Sequence, residues 1–242
     1  SGLNECLLVS DHGNVVEIGA QMICNKDTKS DFAMGDRTTP QKLARGSRFA
    51  GRYDIDTMLG EGGMGAVYRV RDQALAEVVA LKVLSLPVSG AHRYAEMFRQ
   101  EVRLSRRITH ANVVHVYDIG EVDGLLYMTM ELIDGMTLRD AIFRAAAGRL
   151  PFGEAIQMGY SLAKGLAAVH AHGIVHRDLK PSNVMIAHSG RVVLADFGVA
   201  SQVDVENPAL RGGLVGTIGY MAPEQFAKQP PSPRTDIYSF GL

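Results

Sequence analysis

The run Gly60-Glu61-Gly62-Gly63-Met64-Gly65 constrains this chain more than any other feature. It has the form G-x-G-x-x-G, in which glycines let the backbone pass close to a phosphate and turn its N–H groups toward it. Alone, the pattern suits a glycine-rich hairpin or a dinucleotide fold equally well, so the flanking residues must decide. A dinucleotide fold needs its last glycine to open a helix and an acid about 20 residues further on. Here Gly65 leads into Ala66-Val67-Tyr68-Arg69-Val70, which alternates like a strand, and Lys82 stands in the neighbourhood of the expected acid. Tyr53-Asp54-Ile55-Asp56-Thr57-Met58-Leu59 begins as an alternating segment on the other side. The glycines therefore lie between two strands, and dinucleotide binding is disfavoured.

Lys82 sits inside Val79-Ala80-Leu81-Lys82-Val83, apolar on both sides. A lysine in such a strand is commonly an edge residue that extends its ammonium to water. With a phosphate-cradling loop upstream, a cation directed at polyphosphate explains it better. Such a cation needs an acid to fix its position. Tyr94 to Ile108 carries Met97, Phe98, Val102 and Leu104 among many charges, which predicts a helix with one buried stripe. That helix offers Glu96 and Glu101; Glu101 is preferred because it follows Phe98 by three residues.

Val113–Ile119 and Leu125–Ile133 read as two further strands. Glu154 to His172 places Ile156, Tyr160, Ala163, Leu166 and Val169 at three- and four-residue steps, a long helix buried on that side. Strands first and helices second predict an α+β molecule of two packed lobes. Residues 1–52 differ: Cys6–Val9 and Val15–Ile23 suggest a strand pair from an upstream domain, and Asn25 to Ser47 a polar linker.

Charge and composition exclude several classes. Lys+Arg number 25 against 26 Asp+Glu, a net −1, which argues against nucleic-acid partners and a polybasic membrane surface. Hydrophobic residues at 46% and charged residues at 21% fit a globular chain. No apolar run approaches the ~18 residues a membrane helix needs, and no signal peptide is legible. Two cysteines, Cys6 and Cys24, cannot build a disulfide framework, so a reducing, cytoplasmic setting is expected.

The second half carries His176-Arg177-Asp178-Leu179-Lys180-Pro181-Ser182-Asn183 and then Asp196-Phe197-Gly198. Asp178, Lys180 and Asn183 can face one cavity, supplying a proton acceptor, a cation for developing negative charge and a neutral oxygen ligand. Asp196 follows the apolar Val192-Val193-Leu194-Ala195, which places a carboxylate at a strand end. Oxygen ligands of this kind suit Mg²⁺. His170, His172 and His176 do not read as a metal site, because no acidic third ligand is spaced with them.

Gly60–Val67, Val79–Lys82, His176–Asn183, Asp196–Gly198 and Ala222-Pro223-Glu224 occur in the order of the protein kinase signature set. The chain resembles a bacterial-type Ser/Thr protein kinase over residues 53–242. The resemblance implies a small β-rich N-lobe (about 53–132) and a helical C-lobe (about 133–242) that is incomplete at its C-terminus. It implies ATP and Mg²⁺ as cofactors and a protein with Ser or Thr as substrate; an inactive nucleotide-binding scaffold or a non-functional fragment is the alternative. Leu59, Gly60, Glu61, Gly62, Gly63, Met64, Gly65, Ala66 and Val67 would then cover the nucleotide, with Ala80 above the adenine and Met185 below it. The Glu131 carbonyl and Ile133 N–H would bond the base behind Met130. Lys82, paired with Glu101, would hold the α- and β-phosphates. Asp178 would accept the substrate proton, Lys180 would steady the phosphoryl group, and Asn183 and Asp196 would bind Mg²⁺.

Between Asp196 and Glu224 the hydroxyl side chains are Ser201, Thr217 and Tyr220, so Asp204 or Glu206 is expected to supply a permanent charge for Arg177. By the same resemblance, Asp236 fixes the backbone near the His-Arg-Asp loop. Glu224 pairs with an arginine beyond Leu242, where a membrane anchor could also follow.

Overall fold

The computed structural model describes residues 42–62, 65–84, 91–196 and 218–242. The strand pair and most of the linker expected over 1–52 lie outside these residues. So do Gly63, Met64, Phe197, Gly198 and the segment through Thr217, with Ser201, Asp204 and Glu206.

Strands β1 (Arg48–Phe49), β2 (Tyr53–Gly62), β3 (Gly65–Asp72), β4 (Glu77–Leu84), β5 (Val116–Val122) and β6 (Leu125–Met130) form one antiparallel sheet in the order β1-β2-β3-β4-β6-β5. Helix α1 (Ala91–Ser105) connects β4 to β5. The two-residue period of the strands sorts their side chains by face. Tyr53 and Ile55, Ala66, Tyr68 and Val70, and Val79, Leu81 and Val83 all bury on one face with Phe49. Tyr127 of β6 closes that cluster edge-on, its ring centroid 5.2 Å from Phe49 and 5.7 Å from Tyr53. On the other face of β4, Ala80 and Leu84 join Ala95, Phe98 and Val102 of α1. Strand β4 is thus buried on both faces, and this explains its nearly unbroken apolar run. Lys82 falls in register between Ala80 and Leu84.

Gly65 shows why the second strand of the loop must begin with glycine. It pairs with Leu84 at φ +130°, and a Cβ there would run into the Val83 carbonyl oxygen.

The second half holds β7 (Gly135–Thr137), α2 (Leu138–Arg144), α3 (Phe152–Ala171), β8 (Val184–Ala187), β9 (Val192–Leu194), α4 (Pro223–Phe226) and α5 (Pro233–Phe240). β7, β8 and β9 form a small antiparallel sheet in that order. Thr137 caps α2 by accepting the Asp140 N–H at 3.0 Å. A single apolar cluster runs from the α1 face of the large sheet through Leu162, Leu166 and Val169 of α3 to β8 and β9.

Helix α3 departs from its expected face. Ile156, Tyr160 and Ala163 are exposed, and the buried residues are Leu162, Gly165, Leu166 and Val169. The cause is a close backbone approach. A Cβ on Gly165 would lie 2.6 Å from the Asn112 carbonyl oxygen. Asn112 is itself sewn to β9, its Nδ2 donating to Val192 O (2.8 Å) and its carbonyl accepting the Leu194 N–H (2.9 Å). The contact line thus keeps Leu166 and Val169 of the expected stripe and adds Leu162 and Gly165.

Gly165→Ala is therefore expected to destabilise the protein by about 1–3 kcal/mol through overpacking. Gly153→Ala, in the first turn of the same helix with open space around it, is expected to leave stability unchanged or raise it by up to ~1 kcal/mol. Thermal melts of the two variants check both directions.

Candidate active site

Asp236, on α5, is fully buried and organises the His176-Arg177-Asp178 loop. Its carboxylate accepts the His176 N–H at 2.7 Å, the Arg177 N–H at 2.8 Å and the His170 Nε2–H at 2.7 Å. Arg177 has φ +67°, a left-handed conformation that non-glycine residues adopt at a cost of order 1–3 kcal/mol. Its peptide is held on both sides, because Gln225 Nε2 donates to the Arg177 carbonyl at 2.8 Å. His176 is wholly buried, and its Nε2–H donates to the Ala195 carbonyl at 3.0 Å. The His-Arg-Asp turn is thus tied to α4 and α5 and to the residue before Asp196.

Beyond that turn, Asp178, Lys180 and Asn183 converge. Lys180 Nζ lies 2.8 Å from Asp178 Oδ2. The Asn183 amide nitrogen donates to the Asp178 carbonyl (2.8 Å) and to its carboxylate (3.0 Å). The Asn183 side-chain oxygen takes a long hydrogen bond from the Ser182 hydroxyl (3.5 Å) and keeps a second lone pair for a hard cation. A one-turn 3₁₀ helix, Pro181–Asn183, sets the spacing, and the Asn183 carbonyl accepts the Ala195 N–H at 2.9 Å.

Lys82 and Asp196 meet from opposite halves of the chain, Nζ to Oδ1 at 2.6 Å. Only 9% of Lys82 is exposed. Burial pushes the Asp196 carboxyl up, but the charge and hydrogen bond of Lys82 outweigh it, with help from His176 and Lys180, and hold it below the usual aspartate value. Asp196 also has a positive φ, +54°.

Glu101 is not brought to Lys82. Among the described residues, the ion pair of Lys82 is with Asp196, and Glu101 forms none within 4 Å. Burial pushes the Glu101 carboxyl above its ordinary value, and the nearby positive charge of Arg177 opposes this. Glu96, the other acid on α1, pairs with Arg99.

The described ends of the glycine-rich strands and the link after β6 lie among the following contacts. Gly60 pairs with Val67 and Glu61 with Ala66, while the exposed Glu61 carboxylate lies 2.8 Å from Lys42. Leu59 is half exposed. Ala80 and Met130, which face each other across β4 and β6, share one apolar cluster with Val67, Leu132, Ile133 and Met185. The Glu131 N–H donates to the His115 carbonyl at 2.8 Å, and its side chain forms an ion pair with Arg191.

Several contributors escaped sequence reasoning. Arg191, Asn112 and Gln225 act through partners 48 to 80 residues away, and their local sequence signals nothing. His170 and His176 bond Asp236 and Ala195 respectively, and the described residues hold no cluster of three or more metal-ligating side chains. Glu224 takes a hydrogen bond from the Thr235 hydroxyl (2.6 Å), which, with a backbone N–H, holds its carboxyl below the usual value. No helix among the described residues is long and apolar enough to cross a membrane.

The protein kinase domain family model matches residues 53–242. The chain is 34% identical over 197 residues to serine/threonine-protein kinase PrkC of Bacillus subtilis, covering 81% of this chain and 30% of that protein. It is 37% identical over 202 residues to serine/threonine-protein kinase PknA of Mycobacterium tuberculosis, covering 81% of this chain and 46% of that one. The chain thus spans between about a third and a half of the length of these relatives. The crystal structure of the Mycobacterium tuberculosis PknI kinase domain aligns at a TM-score of 0.67 and 34% identity, over 83% of this chain and 73% of that domain. With the two-lobed fold and the ordered motifs, this match over residues 53–242 places the chain in the protein kinase domain family.

Proposed function

We propose that this chain is the catalytic unit of a protein serine/threonine kinase that transfers the γ-phosphate of ATP to a Ser or Thr hydroxyl with Mg²⁺. Residues 53–242 are the catalytic domain in this reading, and 1–52 an extension or a remnant of an upstream domain with its linker. The observation that carries it is the meeting of Lys82 and Asp196 at 2.6 Å, next to the loop that presents Asp178, Lys180 and Asn183. A buried cation and a carboxylate that stays ionised, flanked by a general base and a neutral oxygen ligand, are the parts phosphoryl transfer needs.

The residues fit Mg²⁺, which binds through one or two carboxylates plus substrate phosphates and retains water. Asp196 and the Asn183 oxygen would hold it, and the bound ion would draw negative charge from the phosphate oxygens. Lys82 binds the α- and β-phosphates, with Gly60, Gly62 and Gly65 closing over them. Val67, Ala80 and Met185 sandwich the adenine, and the Glu131 carbonyl and Ile133 N–H bond its edge. Asp178 takes the proton from the attacking hydroxyl, oriented by the Asn183 amide. Lys180 neutralises charge as it develops. Glu101 joins by pairing with Lys82, which requires its carboxylate to move from its present position.

Asp178-Leu179-Lys180 and Gly216-Thr217 support Ser/Thr over Tyr, in keeping with the serine/threonine kinases that the chain resembles. The use of ATP supports a cytoplasmic site of action. No observation favours an inactive scaffold, since each position the chemistry needs is filled.

Asp178→Asn is expected to lower phosphate transfer by about 10²–10⁴-fold with little change in melting temperature. Incorporation of labelled phosphate into a protein substrate measures it, and retained activity would remove Asp178 from the base role. Glu101 gives a pH prediction for stability. Its raised value means folding favours the neutral form, so its contribution is present below the ordinary 4.5 and lost as pH rises through the raised value. Glu101→Gln is therefore expected to melt higher than the parent protein at neutral pH. The gap should close as pH falls below 4.5, while activity at neutral pH drops.

A further inference from the structure

We infer that Arg191 is a positioning residue for the purine base, holding the interlobe link at a fixed height over the floor of the slot. The inference rests on the kinase reading above and adds to it a device at the back of the nucleotide site.

Residues 131–134 connect β6 to β7, and both ends of this link are tied to the turn between β8 and β9. At one end the Arg191 guanidinium pairs with the Glu131 carboxylate and also donates to the Ala111 carbonyl at 3.4 Å. At the other, the His188 N–H donates to the Asp134 carbonyl at 2.9 Å. The same hairpin carries Met185, in register with Val193 on one side and Thr137 on the other. One hairpin therefore supplies the floor of the slot and both anchors of its wall. Leu132 and Ile133 are suspended between those anchors, and both pack on the apolar cluster that includes Ala80 and Met185.

The pair is more than a surface contact. The Arg191 side chain is 35% exposed and that of Glu131 24%, and the Glu131 peptide is fixed by the His115 carbonyl. A partly desolvated guanidinium–carboxylate pair fixes geometry better than an exposed one. Hydrogen bonds to a base weaken steeply with angle, so a small shift of Glu131 and Ile133 costs affinity. These bonds are made equally in the ground and transition states, so the loss falls on KM for ATP rather than on kcat.

The test compares the whole parent protein with Arg191→Met and Arg191→Lys, measuring binding of Mg·ATP and of Mg·tripolyphosphate, which has no base, together with KM and kcat. Arg191→Met should weaken ATP binding and raise its KM by roughly 3–10-fold, with tripolyphosphate affinity unchanged. Arg191→Lys, which keeps the charge but loses the planar fork, should recover part of the loss. A reciprocal Glu131→Arg, Arg191→Glu pair should recover more than either single change. Unchanged ATP affinity in Arg191→Met, or equal losses for ATP and tripolyphosphate, would overturn the assignment. Should Arg191→Met not fold, Arg191→Lys carries the same comparison. Parent protein that binds neither ligand would instead defeat the kinase reading on which this one rests.

Discussion

A lysine in the middle of a strand buried on both faces must be given an anion, and the arrangement of this molecule follows from how that need is met. Lys82 lies between Ala80 and Leu84, where a neutral residue would pack without penalty. An ammonium there, left without a partner, costs several kcal/mol or shifts its protonation. The partner is Asp196, which comes from the far side of the molecule at the end of β9. The ion pair therefore joins the two halves of the chain at the candidate site. It also keeps the Asp196 carboxylate ionised, the state in which it can bind a divalent cation.

The opposite wall is built on strain and its compensation. Arg177 and Asp196 both have left-handed backbones although neither is glycine. For Arg177, Asp236 fixes the N–H and Gln225 fixes the carbonyl, so α5 and α4 lock the turn from two directions. Asp236 is a fully buried carboxylate whose oxygens accept two peptide N–H groups and one imidazole, and so its charge is well solvated by the protein. Asp178 follows directly on this locked turn, a fixed geometry of the kind that the proposed electrostatic role would need.

Much of this was legible in the sequence. Alternation over 53–59 and 66–70 marks β2 and β3, and the strand pattern after Gly65 disfavours the dinucleotide alternative. Lys82 and Asp196 stand out in the sequence by their apolar strands, and Asp178, Lys180 and Asn183 by their spacing; in the structure Lys82 pairs with Asp196, and Lys180 and Asn183 both contact Asp178. Helical spacing identifies the face that Glu101 shares but not whether its carboxylate reaches a cation, and in this structure Lys82 pairs with Asp196. On α3 the expected Leu166 and Val169 are buried, whereas Ile156, Tyr160 and Ala163 are exposed and Gly165, which periodicity of apolar residues does not mark, makes a close approach to Asn112. Arg191 and Asn112 could not be found at all, since an arginine in a turn and an asparagine after a helix gain meaning only from partners 60 and 80 residues distant.

A crystal structure of the protein with Mg²⁺ and a non-hydrolysable ATP analogue tests the convergence of Lys82, Asp178 and Asp196 most directly. The triphosphate should lie between Gly60–Gly65 and Lys82, with the metal bound by Asp196 and the Asn183 oxygen and the γ-phosphate facing Asp178. A nucleotide bound elsewhere, or a metal with neither Asp196 nor Asn183 among its ligands, would contradict it.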